Sequence, residues 1–115
     1  MTYHVVISNQ ATAELRAAAE WWAENRDPEQ AVRWFVGFDA KIRGLANNPH
    51  GWAVADETDE FPYEIRQINF GLSSRPTHRA VFTIVEPNVV LVLAIRHTSQ
   101  DSIAPEDISE SINDQ

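Results

Sequence analysis

The chain has 115 residues, no cysteine and a formal net charge of −8, and 43% of its residues are hydrophobic. This length and apolar content suit one domain with a single core, and the missing cysteines exclude disulfides and thiolate metal sites. The acidic charge argues against generic nucleic-acid binding, and no apolar stretch reaches the roughly 20 residues of a membrane span. Because "MTYHVVISNQ" also lacks a signal-peptide pattern, we expect a cytoplasmic protein without membrane contact.

The amino-terminal half of the sequence predicts one strand and two helices. The segment "YHVVIS" (3–8) is short and rich in β-branched residues, as strands are. Alanine dominates "NQATAELRAAAEWWAEN" (9–25), whose apolar residues recur at helical spacing. Asp27 and Pro28 suit the N-cap and first turn of a second helix, whose apolar stripe continues to about 45–47. The short turn between the helices predicts a helical hairpin.

The carboxy-terminal half predicts three strands after the breaker-rich loop "NNPHGWAVADETDE". These strands are expected over 61–70, His78–Val85 and Val89–His97. The link "EPN" fits a hairpin, and the near-continuous apolar run of the last strand predicts a central strand covered on both faces. The order β-α-α-β-β-β predicts an α+β fold, with the helical hairpin packed on a small, mostly antiparallel sheet. We predict one domain over 1–103 and an acidic tail over 104–115, either a short helix or disordered.

Basic side chains are concentrated on the predicted strands. Residues 61–97 carry four arginines against two acidic residues, whereas 98–115 carry five acidic residues and no lysine or arginine. Three arginines lie in or beside predicted strands of the same sheet: Arg66, Arg79 and Arg96. Because an unpaired charge in a strand is costly, these arginines either pair with Glu64, Asp101 or helix carboxylates, or act together. Acting together, their guanidinium groups would bind a phosphodiester or an acidic protein surface.

Aromatic and imidazole side chains provide the remaining candidates. His97 either simply ends its strand or serves as an acid or base beside the arginines, since histidine titrates near neutrality. Trp21 and Trp22 point about 100° apart on a helix, so Trp22 is expected in the core. Trp21 then packs at the edge of the hairpin or on a partner protein. The histidines lack metal-ligand spacing and the chain has no nucleotide-binding or hydrolase motif, so we expect no metal and no cofactor.

Three phrases from residue 31 onward resemble a known protein family. In order, they are "AVRWFVGFDAKIRGLANNPHGW", "FPYEIRQINFG" and "HRAVFTIVEPNVVLVLAIRHTSQD". They resemble the RelE/ParE superfamily of toxins from type II toxin–antitoxin modules, which includes plasmid stabilisation proteins. The resemblance covers about residues 3–103 and implies the family's β-α-α-β-β-β fold. The strand exit "IRHTSQD" is more similar to the ParE branch. That branch implies a growth-inhibiting toxin that binds an essential target, with DNA gyrase the leading candidate, and that a cognate antitoxin neutralises.

The RelE branch of the same superfamily implies an alternative, a ribosome-dependent endonuclease that cuts mRNA. That branch uses basic residues on the sheet and a carboxy-terminal tyrosine or histidine, which hold the phosphate and move protons. Arg66 and Arg79 occupy such basic strand positions, but Glu64 stands where a lysine is expected. The chain after His97 has no tyrosine, lysine or arginine. The resemblance therefore implies only a reduced nuclease set, and whether the protein is an enzyme stays open.

The resemblance assigns expected roles under each hypothesis. If the protein is a nuclease, the catalytic residues are Arg66, Arg79, Arg96 and His97. If it acts by binding, the residues expected to contact the antitoxin or the target are Trp21, Arg66, Arg79 and Arg96. A third hypothesis is a degenerate toxin that retains only antitoxin binding, which the acidic charge of the chain favours slightly.

Overall fold

The computed structural model describes residues 2–98 and 102–108. The strands and helices, in chain order, are β1 (His4–Ile7), α1 (Asn9–Asn25), α2 (Pro28–Arg43), β2 (Arg66–Phe70), β3 (His78–Val85) and β4 (Val89–His97). The strands form one sheet in the order β1-β4-β3-β2, in which β1 is parallel to β4 and the other neighbours are antiparallel. The α+β prediction is confirmed, because the helical hairpin packs on a four-stranded mixed sheet.

Side-chain caps fix the starts of both helices. The Ser8 hydroxyl oxygen accepts a hydrogen bond from the Ala11 backbone N–H at 3.0 Å and so starts α1. The Asp27 carboxylate accepts one from the Glu29 N–H at 2.9 Å, and Pro28 occupies the first turn of α2. Both cap positions precede apolar periodic segments, which explains why the helix starts were predictable.

The end of α2 differs from the prediction. The α-helix stops at Arg43, and Gly44–Ala46 continues as a single turn of 3₁₀-helix. Leu45 in this tighter turn is still completely buried, so the apolar stripe extends beyond the end of the α-helix. The chain then passes through the short 3₁₀ turns Pro49–Gly51 and Asp56–Glu60 before it reaches β2.

The central strand β4 contributes side chains to two separate cores, as its continuous apolar run predicted. Val90, Val92 and Ile95 join the core between the sheet and the helices. Leu93 and Ala94 join a second core on the opposite face, which we call the back face. Among the described residues, the buried members of the back-face core are Ala55, Phe61, Ile65, Val81, Leu93, Ala94 and Ile103.

The first half of the strand predicted over 61–70 is wrong. Only Arg66–Phe70 pairs with β3, while Phe61 and Ile65 are buried in the back-face core as irregular chain. The Ile65 N–H donates to the Thr58 hydroxyl at 2.9 Å rather than to a neighbouring strand. The segment therefore folds across the back face of the sheet instead of extending along its edge.

The carboxy-terminal segment also packs on the back face where it is described. Ile103 is buried there, and the 3₁₀ turn Pro105–Asp107 follows it. The Gln10 side-chain amide donates to the Asp107 carbonyl at 2.8 Å and so links this segment to α1. The domain end predicted at residue 103 stays a prediction, and most of the proposed tail lies outside the described residues.

Candidate functional site

Arg79 lies in β3 and points into the back face, where only 6% of the residue is exposed. Its guanidinium group forms a bidentate ion pair with the Glu57 carboxylate, at 2.6 and 3.0 Å, and donates a hydrogen bond to the Gln67 side-chain oxygen at 2.7 Å. The same carboxylate accepts the Ile103 N–H at 3.2 Å. The hydrogen bonds from Arg79 hold the pKa of the Glu57 carboxyl below its ordinary value, although burial acts in the opposite direction. Arg79 therefore ties the loop and the carboxy-terminal segment to the sheet.

Arg66 occupies the first position of β2 and fastens the preceding loop. One of its terminal nitrogens lies 3.0 Å from the Glu64 carboxylate. The other donates to the Trp52 carbonyl at 2.6 Å and to the His50 carbonyl at 3.3 Å. The side chain of Arg66 is 17% exposed, so part of this cation remains accessible to another molecule.

Arg96 lies near the end of β4 and pairs with α1. Its guanidinium group is 3.0 Å from the Glu14 carboxylate, whose other oxygen accepts the Ile95 backbone N–H at 2.8 Å. Because β1 ends at Ile7, β4 has no strand on its β1 side at this point, and the Glu14 side chain supplies the acceptor that a strand would have offered there. Gln10 also donates to Glu14, at 3.1 Å, which completes a polar cluster between helix and sheet edge.

His97 lies on the helix-facing side of β4, directly opposite His78 of β3. The two rings contact each other edge-to-face with centroids 5.2 Å apart, and His78 in turn contacts the Trp34 ring at 4.9 Å. The Thr77 hydroxyl lies 2.9 Å from Nδ1 of His78. The sequence pattern alone predicts no role for His78. If the residues of β3 and β4 are paired one by one outward from the hairpin turn, His78 falls within one residue of His97. The bulge between Val81 and Phe82 accounts for the remaining shift.

An open cleft of about 530 Å³ lies beside the two histidines, between α1 and the ends of β3 and β4. Trp21, half exposed, forms one wall and contacts Trp22 edge-to-face at 5.7 Å, while Trp22 stacks toward the core on Trp34. The lining residues are Glu14, Ala18, Trp21, Trp22, Arg26, Thr77, His78, Ile95 and His97. The structure thus places Trp21 and His97 in the same cleft. Arg96 forms an ion pair with Glu14, which also lines this cleft.

The predicted site residues do not form one cluster. Arg79 and Arg96 are direct neighbours in the register of β3 and β4, yet their side chains pair with carboxylates on different elements. Arg66 pairs with the loop before β2, and His97 lies with Trp21 in the cleft. In the part of the chain that the structure describes, no group of three or more histidine or carboxylate side chains is placed to hold a metal ion.

Comparison with known proteins identifies the family. The sequence model described as "ParE toxin of type II toxin-antitoxin system, parDE" matches residues 5–102. The chain belongs to the ParE toxin family. Membership in the ParE family confirms the resemblance to the RelE/ParE superfamily and the preference for its ParE branch.

A solved structure shares the ParE fold. It is described as "Chromosomal ParDE TA system from P. aeruginosa" and aligns with a TM-score of 0.65 at 19% sequence identity. The alignment covers 84% of this chain and 96% of the other. No protein with a curated description matches the chain. Within residues 2–98 and 102–108, no helix has the length and apolar content that crossing a bilayer requires.

Proposed function

We propose that this ParE-family toxin arrests growth by binding DNA gyrase in the cytoplasm, and that a cognate antitoxin neutralises it. Family membership supports the toxin role, and the similar P. aeruginosa structure is described as a ParDE toxin–antitoxin system. Gyrase as the target rests on the resemblance to the ParE branch. Inhibition by binding needs a complementary surface and no set of catalytic groups.

All three strand arginines form ion pairs within the chain, and this observation most supports binding over cleavage. Arg66, Arg79 and Arg96 are each paired with a carboxylate of the chain itself, at 2.6 to 3.0 Å. A nuclease needs cations arranged around the position of the scissile phosphate, where negative charge develops. Using these arginines in that way would break ion pairs that hold a loop, a helix and the carboxy-terminal segment in place.

The four residues proposed to contact a partner differ in accessibility. Trp21 is 50% exposed and stands at the mouth of the cleft, which is the setting of an aromatic interface anchor. The side chains of Arg66 and Arg96 are 17% and 16% exposed, so each remains partly accessible to a partner. Arg79 is nearly buried, so we propose that it supports the binding surface from beneath.

Expression of the gene with and without its cognate antitoxin gene tests this proposal. We expect arrest of replication, filamentous cells and intact transcripts without the antitoxin, and normal growth with it. The His97→Gln variant is expected still to arrest growth, because binding requires no proton transfer by that ring. Replication, protein synthesis and transcript integrity are measured separately.

Two results would overturn the proposal. Fragmented transcripts with halted protein synthesis, together with loss of arrest in His97→Gln, would indicate an endonuclease that uses His97. Unimpaired growth after induction of the gene alone, with the protein shown to accumulate, would indicate a degenerate toxin.

A further inference from the structure

The outer face of α2 carries apolar side chains that are mostly exposed to solvent. Its inner face is fully engaged, with Trp34, Phe38 and Ile42 each 0% exposed. Val36 lies on the opposite side of the helix and is 58% exposed, and Val32, one turn earlier, is 61% exposed. These are the two highest exposures among the large apolar residues that the structure describes. A helix that shows an apolar stripe to solvent is usually an interaction surface.

Opposite charges flank the stripe at equal distances from Val36. Glu29 precedes Val36 by two helical turns and Arg43 follows it by two turns, so all three lie on one face. In the described part of the chain, the Glu29 carboxylate has no cationic partner. Arg43 pairs with Asp39 of its own helix, at 3.3 Å, and its side chain is 59% exposed. Such an exposed pair within one helix contributes little and exchanges readily for another partner.

The apolar and charged residues on the outer face of α2 are complementary to the same face of a second α2 helix that runs antiparallel to it. A two-fold axis beside Val36 brings together residues that lie equally far from Val36 along the two antiparallel helices. Val36 then meets its own counterpart, and Val32 lies near the exposed Ala40 of the other copy. Glu29 meets Arg43 at both ends of the contact, which forms two intermolecular ion pairs.

We propose that α2 is a self-association surface and that its occupant is a second copy of this chain in antiparallel orientation. A different partner protein would need an apolar stripe but would not require charges placed symmetrically about Val36. This inference goes beyond the toxin function and does not depend on it. A 16-residue helix is only about 24 Å long, so a contact between two such helices alone buries less area than a stable interface does. A shallow hollow along one flank, with Phe70 and Leu72 in its wall, adds to the area available for contact. The contact area remains small, and we therefore expect a weak, concentration-dependent dimer.

Sedimentation equilibrium of the full chain over a range of concentrations tests the proposal. The parent is expected to show a monomer–dimer equilibrium, with a dissociation constant on the order of micromolar or weaker. Val36→Asp is expected to weaken association at least about tenfold, since it places two carboxylates at the two-fold axis. Because Val36 is exposed, this variant should keep the circular dichroism spectrum of the parent.

A charge-reversal cycle tests the antiparallel arrangement of this dimer. Glu29→Arg and Arg43→Glu are each expected to weaken association, because like charges then face each other, and the double variant is expected to restore it. Each reversal also places a charge unfavourably relative to the helix dipole. These two unfavourable effects add up in the double variant, so they cannot explain a recovery of association. Arg16→Glu, on the exposed side of α1, is the matched control and should leave association unchanged.

The proposal is overturned if the parent remains monomeric at every concentration. It is also overturned if the double variant associates no better than the two single variants. Inhibition of gyrase is measured in a separate assay, so failure of the dimer proposal is distinguishable from failure of the proposed function.

Discussion

Replacing Arg79 by methionine is expected to lower the free energy of unfolding by about 3 kcal/mol. The substitution removes the counter-ion of Glu57, whose side chain is only 13% exposed, and it leaves a carboxylate charge where solvent screens it poorly. Methionine fills much of the same space, so lost packing contributes little. The pair also anchors the loop and Ile103, and its loss should loosen both. Urea unfolding at neutral pH measures the change.

Two variants show whether the unpaired charge causes this loss. The double variant Glu57→Gln, Arg79→Met is expected to recover more than about 1 kcal/mol of it, because neither charge is then left buried alone. Arg16→Met, at an exposed position on α1, is expected to stay within about 0.5 kcal/mol of the parent. A loss below about 1 kcal/mol for Arg79→Met would contradict the anchoring role of the ion pair.

Phe38→Ala is expected to cost about 4 kcal/mol of stability, the largest effect of any change that we propose. Phe38 is 0% exposed, stacks on Phe70 with ring centroids 5.2 Å apart and contacts Trp34 edge-to-face at 5.4 Å. It joins α2 to the edge of the sheet, and truncation leaves a cavity that these rings cannot fill without moving. Thermal or urea unfolding of the purified variant measures the loss.

Val32→Ala is the matched control for Phe38→Ala, because it lies on the same helix with its side chain mostly in solvent. Its effect should stay within about 0.5 kcal/mol when measured in dilute solution, where α2 has no partner. Similar losses for the two variants would mean that the two faces of α2 are assigned incorrectly.

The sequence predicts those elements of this fold that local patterns define at both ends. β4 and β3 have the predicted bounds, since each apolar run is flanked by turn or polar residues. α1 matches its predicted span because Ser8 and the alanine-rich segment define it locally. The segment 61–65 alternates as a strand does, but its apolar side chains are buried by folding across the back face. Periodicity alone does not distinguish these two ways of burying the same residues.

The candidate site was less predictable, because it depends on partners that are distant in the sequence. The sequence named the three strand arginines and proposed carboxylate partners for them. Glu64, one of the proposed partners, pairs with Arg66, and Arg96 pairs with Glu14, a helix carboxylate of the kind proposed. Glu57, which pairs with Arg79 from 22 residues away, lies in a loop without periodicity, so no pattern pointed to it. Asp101, the other proposed partner, lies outside the described residues.

On the back face of the sheet, Arg79 joins other parts of the chain to the sheet. A loop and the carboxy-terminal segment cover this face, and the Arg79–Glu57 pair joins them to it. The accessible features lie on the other face, where Trp21 borders an open cleft. A toxin that works by binding requires such a surface. We expect the affinity for the target to depend on Trp21 more than on Arg79.

Supercoiling by purified DNA gyrase in the presence of the purified protein tests the central claim most directly. We predict that micromolar protein inhibits supercoiling, that His97→Gln still inhibits it, and that the cognate antitoxin restores gyrase activity. Trp21→Ala is expected to weaken inhibition by about tenfold, as loss of an aromatic interface anchor does. Supercoiling that continues unchanged at micromolar concentrations of folded protein would contradict the assignment of gyrase as the target.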